Sequence, residues 1–177
     1  MPLIKTSFFL SVGFLFLSAT GIAQNNDDPE FTKGFVLLAK LNNGLSTGFK
    51  SYTPDMYAGG LALNPQVTMV ENVLRLGANA GFVYHDKKTS GLLGPMAAIK
   101  LKTFGSKYMG SYANLHLIAE ANWGTNKQKM AGGGFGLEIF KKLHLGITSQ
   151  RDYNLNQWWF QTFIGVKLNK SKKNDDE

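Results

Sequence analysis

From residue 31 to residue 168 the chain alternates apolar residues with polar or small ones, in eight separate runs. The runs cover 31–41, 57–70, 73–84, 91–104, 108–123, 130–140, 143–150 and 157–168. A period of two belongs to a strand with two chemically different faces. No run carries helical periodicity, so the chain reads as all-β.

One face of these strands is almost continuously apolar. It holds Phe35, Leu37 and Leu41 in the first run, Leu61, Leu63 and Val67 in the second, and Leu74, Leu76 and Phe82 in the third. Leu93, Leu115, Phe135, Ile147 and Ile164 continue it, with Lys33 as its lone charge. The opposite face collects Asn64, Gln66, Thr68, Asn79, Asn114, Asn122, Thr148, Gln150 and Gln161 together with the strand charges.

Glycine indicates which face points inward. Gly34, Gly60, Gly77, Gly81, Gly94, Gly132, Gly134, Gly136, Gly146 and Gly165 share the polar face, against Gly59 and Gly133 on the apolar one. A narrow barrel needs small residues inside. A soluble barrel would wet its polar face and have no reason to gather glycine there. The expected fold is therefore an eight-stranded antiparallel up-and-down transmembrane β-barrel with a polar, Gly-rich, filled lumen. Closure also leaves no backbone group unsatisfied in hydrocarbon.

The N-terminus suits that destination. Residues 1–23 place Lys5 before an apolar run from Phe8 to Leu17 and end in the small residues Gly21 and Ala23. This is the layout of a cleaved signal peptide, and the run is too short for an ordinary spanning helix. A short N-terminal anchor is the alternative. Residues 24–30 form an acidic leader, 31–168 the barrel and 169–177 a polar tail.

Lys+Arg total 19 against 12 Asp+Glu, but the positive charge is dispersed, which speaks against nucleic acid. The absence of Cys excludes disulfides, thiolate nucleophiles and Cys-ligated metals.

The short connections Glu71-Asn72, residues 105–107 and Lys141-Lys142 alternate with longer ones at 42–56, 85–90, 124–129 and 151–156. Setting Val70 opposite Val73 places Thr68 opposite Arg75 and Asn64 opposite Asn79. Outer-membrane barrels keep short turns in the periplasm, so both termini are expected there. Tyr57, Phe82, Tyr84, Trp123 and Trp158 would form one aromatic belt, and Phe31, Tyr108 and Phe140 the other.

The pattern resembles the small eight-stranded bacterial outer-membrane β-barrel proteins over almost all of 31–168. That resemblance implies a location in the cell outer membrane. It also implies a role in anchoring, adhesion or defence, or in a few cases lipid modification. One departure is that such barrels commonly end on an aromatic residue that assists assembly, whereas here Leu168 precedes the tail Asn169–Glu177.

The sharpest chemical constellation is His116, Glu138 and His144, inward-facing on neighbouring strands. Two imidazoles and a carboxylate suit a divalent metal or acid–base work, but a lumen hydrogen-bond network needs the same groups. The network is the reading adopted, with no metal and no cofactor. Lys40, Arg75, Lys100, Lys102 and Lys167 face Glu120 and Glu138, a basic excess of three. Lys50, Lys87, Lys88, Lys127, Lys129 and Arg151 form a basic rim on the loops, beside Asp55, Asp86 and Asp152.

His85-Asp86 near Ser90, and the serines of the first loop, hint at a hydrolase triad without a surrounding motif. The glycines of 132–136 precede no helix, which argues against a phosphate loop. The expected function is structural, anchoring or loop-mediated recognition, not catalysis, with outer-membrane lipids and an unidentified surface ligand or protein as partners. A lipid-directed enzyme or a small anion pore is the alternative.

Overall fold

The computed structural model describes residues 34–48, 56–106, 110–140 and 142–169. The expected signal peptide and acidic leader, Phe31, Lys33, Lys50, Asp55, Tyr108, Lys141 and the residues beyond Asn169 lie outside them. Eight strands follow in chain order: β1 (Phe35–Thr47), β2 (Met56–Val70), β3 (Leu74–His85) and β4 (Lys88–Ser106), then β5 (Gly110–Gly124), β6 (Lys129–Ile139), β7 (Leu143–Asp152) and β8 (Gln157–Lys167). Each pairs antiparallel with its sequence neighbours, and β1 pairs with β8, closing an up-and-down barrel. Past β8 the side chain of Asn169 continues the seam. Its Oδ1 accepts from Leu37 N at 2.8 Å and its Nδ2 donates to Phe35 O at 2.6 Å.

Sidedness follows the alternation. Phe82, Leu61, Leu93 and Ile147 stand exposed on the outer wall, whereas Arg75, Asn64, Asn114 and Glu138 are at most 2% exposed in the lumen. The inward glycines explain how a sheet this narrow closes. A Cβ built on Gly94 would lie 1.7 Å from the Ala121 carbonyl oxygen, and one on Gly134 1.9 Å from that of Ile147. The strands coil too tightly there for any side chain.

Four expectations need correction. First, β1 runs on to Thr47, because the Asn42-Asn43-Gly44 stretch that reads as a turn stays in the ladder with β2 and β8. Second, residues 85–90 form no long loop. His85 pairs with Lys88 across Asp86 and Lys87, both at positive φ (49° and 59°), as in a tight type I′ hairpin. With β7 also reaching Asp152, the contrast between short turns and long loops narrows to the 48–55 connection.

Third, Thr68 does face Arg75, but a register shift then sets Val70 opposite Leu74 instead of Val73. Fourth, β4 bulges between Lys100 and Lys102. The extra residue reverses the alternation, so Lys102 pairs with Leu115 on the outer wall and Thr103 takes the inward place. Lys102 is exposed there, with its Nζ 5.3 Å from the Phe104 ring centroid. It is not a lumen residue.

Gly94→Ala is expected to destabilise the barrel by roughly 3 kcal/mol. Gly165→Ala, whose Cβ would meet nothing closer than 3.3 Å, should cost less than about 1 kcal/mol. Guanidinium unfolding of both variants in detergent micelles checks the contrast.

Candidate functional site

Inward side chains stack in alternating polar and apolar tiers. At the β6–β7 turn end, Arg75 of β3 reaches across the lumen and its Nη1 donates to Glu138 Oε2 at 3.1 Å. Glu138 pairs directly with His144, and His116 stands beside its partner strand position at Gly136. His116 Nε2 lies 3.6 Å from Glu138 Oε2 and His144 Nε2 lies 3.5 Å from Oε1. The two imidazoles meet edge to face, with centroids 6.3 Å apart. One carboxylate thus serves a guanidinium and two imidazoles, as a buried charge must. Lys100, half-buried, pairs with His116 on the same tier.

The guanidinium favours the network reading of this cluster. It occupies the carboxylate that a divalent ion would need and repels a second cation. Among the described residues no group of His, Asp and Glu has an arrangement that holds a metal ion.

Above this tier Met96, Ala98, Ile118 and Phe163 form an apolar cluster. A second polar tier then crosses the barrel as a chain of hydrogen bonds. Gln66 Nε2 donates to Asn64 Oδ1 (2.5 Å), Asn64 Nδ2 to Asn79 Oδ1 (2.7 Å) and Asn79 Nδ2 to Glu120 Oε2 (2.5 Å). Gln150 Nε2 donates to Glu120 Oε1 (2.5 Å), and Asn122 Nδ2 to Gln150 Oε1 (3.2 Å).

Glycine on the intervening strands makes this possible. Asn79 pairs with Gly94, and Glu120 and Gln150 both pair with Gly132, so the side chains reach each other over bare backbone. Lys40 lies at this level with Nζ 4.9 Å from the Phe163 ring centroid. A cavity of about 30 Å³ beside Lys40, Asn79, Glu120 and Gln161 has room for on the order of a water or two.

Ala58, Val83, Met130 and Trp159, with Leu92 against them, form the next apolar tier. A third polar tier closes the far end. Ser46 Oγ and His85 Nε2 share a hydrogen bond at 2.7 Å, and the His85 ring packs 4.4 Å from that of Trp159. Gln128 and Asn126 fold back from the β5–β6 connection and donate to Ser90 Oγ at 2.8 and 2.7 Å. Asp152 is fully buried, and its Oδ1 accepts from the backbone N–H groups of Lys129, Asn154 and Leu155.

Ser46 and His85 are thus brought together, while the suspected Ser90 serves the β5–β6 connection instead. At 1% exposure Ser46 is closed to a substrate carbonyl in this arrangement. Sequence reasoning singled out His85 and Ser90 but left Ser46 in a loop, because it ended the first strand at residue 41. Continuing the alternation through Gly44 would have brought Ser46 to the inward face.

With Lys102 outside, Lys167 half-buried and Asp152 enclosed, the lumen balance is four cations against three carboxylates, not a basic excess of three. Asp152 likewise leaves the rim, and Lys129 and Arg151 belong to strands and not to loops. Lys88 likewise opens β4 and is exposed there, and Lys87 and Lys127 are exposed on the β3–β4 and β5–β6 connections. On the outer wall Tyr57, Phe82, Tyr84 and Trp123 are exposed and Trp158 half-buried, all towards this end; Phe140 is exposed at the opposite end.

No family model matches the chain, and no curated protein matches it. Among solved structures it is similar to one described as a de novo design of transmembrane beta-barrels. That likeness has a TM-score of 0.47 at 16% identity and covers 75% of this chain and 95% of that one. A second likeness is to the de novo designed TMB2.3, solved by NMR in solution. Here the TM-score is 0.44 at 11% identity, covering 76% and 97% respectively.

Glu138→Leu should destabilise the barrel by roughly 3–5 kcal/mol, because it leaves Arg75 buried without its carboxylate. Glu138→Gln, which keeps the shape and one acceptor, should cost distinctly less. Chemical unfolding in micelles separates the two; equal midpoints for Glu138→Leu and the parent chain would remove the network from the list of stabilising features.

Proposed function

We propose that this barrel spans the bacterial outer membrane and that its work there is structural, anchoring or loop-mediated recognition, not catalysis. The observation that carries the reading is inverted sidedness. Soluble proteins rarely leave contiguous apolar patches beyond a few hundred Å² in water. Here Leu, Ile, Val and Phe side chains cover the outer wall around the barrel, while Lys40, Arg75, Glu138 and Asp152 are enclosed in the lumen. Hydrocarbon is the solvent in which that arrangement is stable, and a closed sheet is one of two folds hydrocarbon tolerates.

The recognition part of the reading is supported by where variable chemistry remains. The lumen is crowded by interlocking side chains, and the cavity beside Lys40 and Glu120 is only about 30 Å³. The wall is committed to lipid. The loop end carries Lys87 and Lys127 on its connections and Lys88 at the start of β4, all exposed, and loops on a rigid scaffold are where binding residues collect. A small anion pore finds less support, because two apolar tiers cross the lumen and the one polar cavity described holds little more than a water.

The reading is tested with single-tryptophan variants reconstituted in vesicles containing lipids that quench fluorescence from the acyl chain. Trp123 and Trp158 should be strongly quenched, and Trp159, 1% exposed inside the lumen, largely protected. Equal protection of all three would place the apolar wall away from lipid. Carbonate-resistant fractionation with the outer membrane checks the location.

A further inference from the structure

The outer wall is not uniform. Across β6, β7, β8 and β1 it hollows into a groove of about 660 Å³. Leu45, Phe135, Ile147 and Phe160 wall it, and the small outward residues Gly133 and Ser149 give it depth.

Along the same strands towards the loop end, Lys129 follows on β6 and Arg151 on β7. Trp123 pairs with Lys129 and Ala131 with Arg151, so the two cations are diagonal neighbours on the outer face, about 7–8 Å apart at their backbones. Arg151 lies 5.7 Å from the Trp158 ring centroid and donates to Asn156 Oδ1, which holds the guanidinium against the wall. The carboxylate next to it in sequence, Asp152, is turned into the lumen and spent on backbone N–H groups.

We propose that this groove and its cationic lip bind one membrane lipid with an anionic, phosphate-bearing headgroup, the acyl chain lying in the groove and the phosphate on Lys129 and Arg151. The inference rests on the membrane-spanning reading above. The groove has the volume of an ordinary ligand site, and Leu45, Phe135, Ile147 and Phe160 offer an acyl chain apolar walls, with Asn43 and Thr162 as polar residues among them and the Thr162 hydroxyl already donating to Asn43 O. Basic side chains at the membrane surface attract anionic headgroups, and a guanidinium can engage a phosphate through two parallel donors. A second copy of the chain is a poor occupant, since a two-fold contact here would set Lys129 and Arg151 against their own like charges.

The test titrates the full chain in neutral detergent micelles with phosphatidylglycerol or phosphatidylcholine of matched acyl chains, and reads bound lipid by native mass spectrometry. The parent should retain one phosphatidylglycerol in preference to phosphatidylcholine. Replacing both cations (Lys129→Gln with Arg151→Gln) should weaken that binding roughly thirtyfold and abolish the preference. Ser149→Trp, which fills the groove, should weaken both lipids while the headgroup preference survives. Equal retention of the two lipids by the parent would overturn the site, as would complete displacement of phosphatidylglycerol by excess glycerophosphate. Vesicle insertion, followed by heat-modifiable gel migration, is measured separately: an inserted barrel that does not discriminate defeats the lipid site alone, whereas failure to insert defeats the reading beneath it.

Discussion

The governing constraint is the narrowness of a closed eight-stranded sheet. Strand number fixes the diameter, and the space inside accepts long side chains from some strands only if others contribute almost nothing. Gly94 and Gly132 show the rule at work. Each sits directly opposite residues of the middle hydrogen-bond chain, and their missing side chains are the corridor through which Asn79, Glu120 and Gln150 meet. Remove that corridor and Glu120 loses the amide donors of Asn79 and Gln150, which leaves Lys40 to offset its desolvation.

The same constraint explains why so much of the fold was legible. Period-two alternation, charge on one face and glycine on that same face are three independent signals, and they agree only for a barrel whose polar side is enclosed. The Glu138–His144 pairing followed from strand boundaries alone, because the turn between them is short. What resisted reading was local. The Leu101 bulge adds one residue, and nothing about a leucine between two lysines announces it; every position beyond it changes face, and Lys102 goes from lumen to wall. Asn42, Asn43 and Gly44 are turn-formers by intrinsic preference, yet pairing on both sides keeps them in β1. Their neighbours Ser46 and Thr47 were lost with them.

Apolar residues on the polar face were the other blind spot. Trp159, Phe163, Met96 and Ile118 interrupt no pattern strongly enough to be noticed, since a single apolar residue at an inward position looks like noise. Only the closed register shows that Met96, Ile118 and Phe163 converge from β4, β5 and β8, and that Trp159 meets Ala58, Val83 and Met130 from β2, β3 and β6. Tertiary convergence of residues far apart in sequence is the information that alternation does not contain.

Those clusters give the molecule an electrical character. Proton hopping needs an unbroken succession of groups that both donate and accept, and thioether, alkyl and ring carbons do neither. Around Met96, Ile118 and Phe163, and again around Trp159, the interior carries no such group, and polar side chains pass those clusters along β2 (Thr68, Gln66, Asn64) and along β7 (Gln150, Asp152). A proton crossing this interior is confined to those two strand edges.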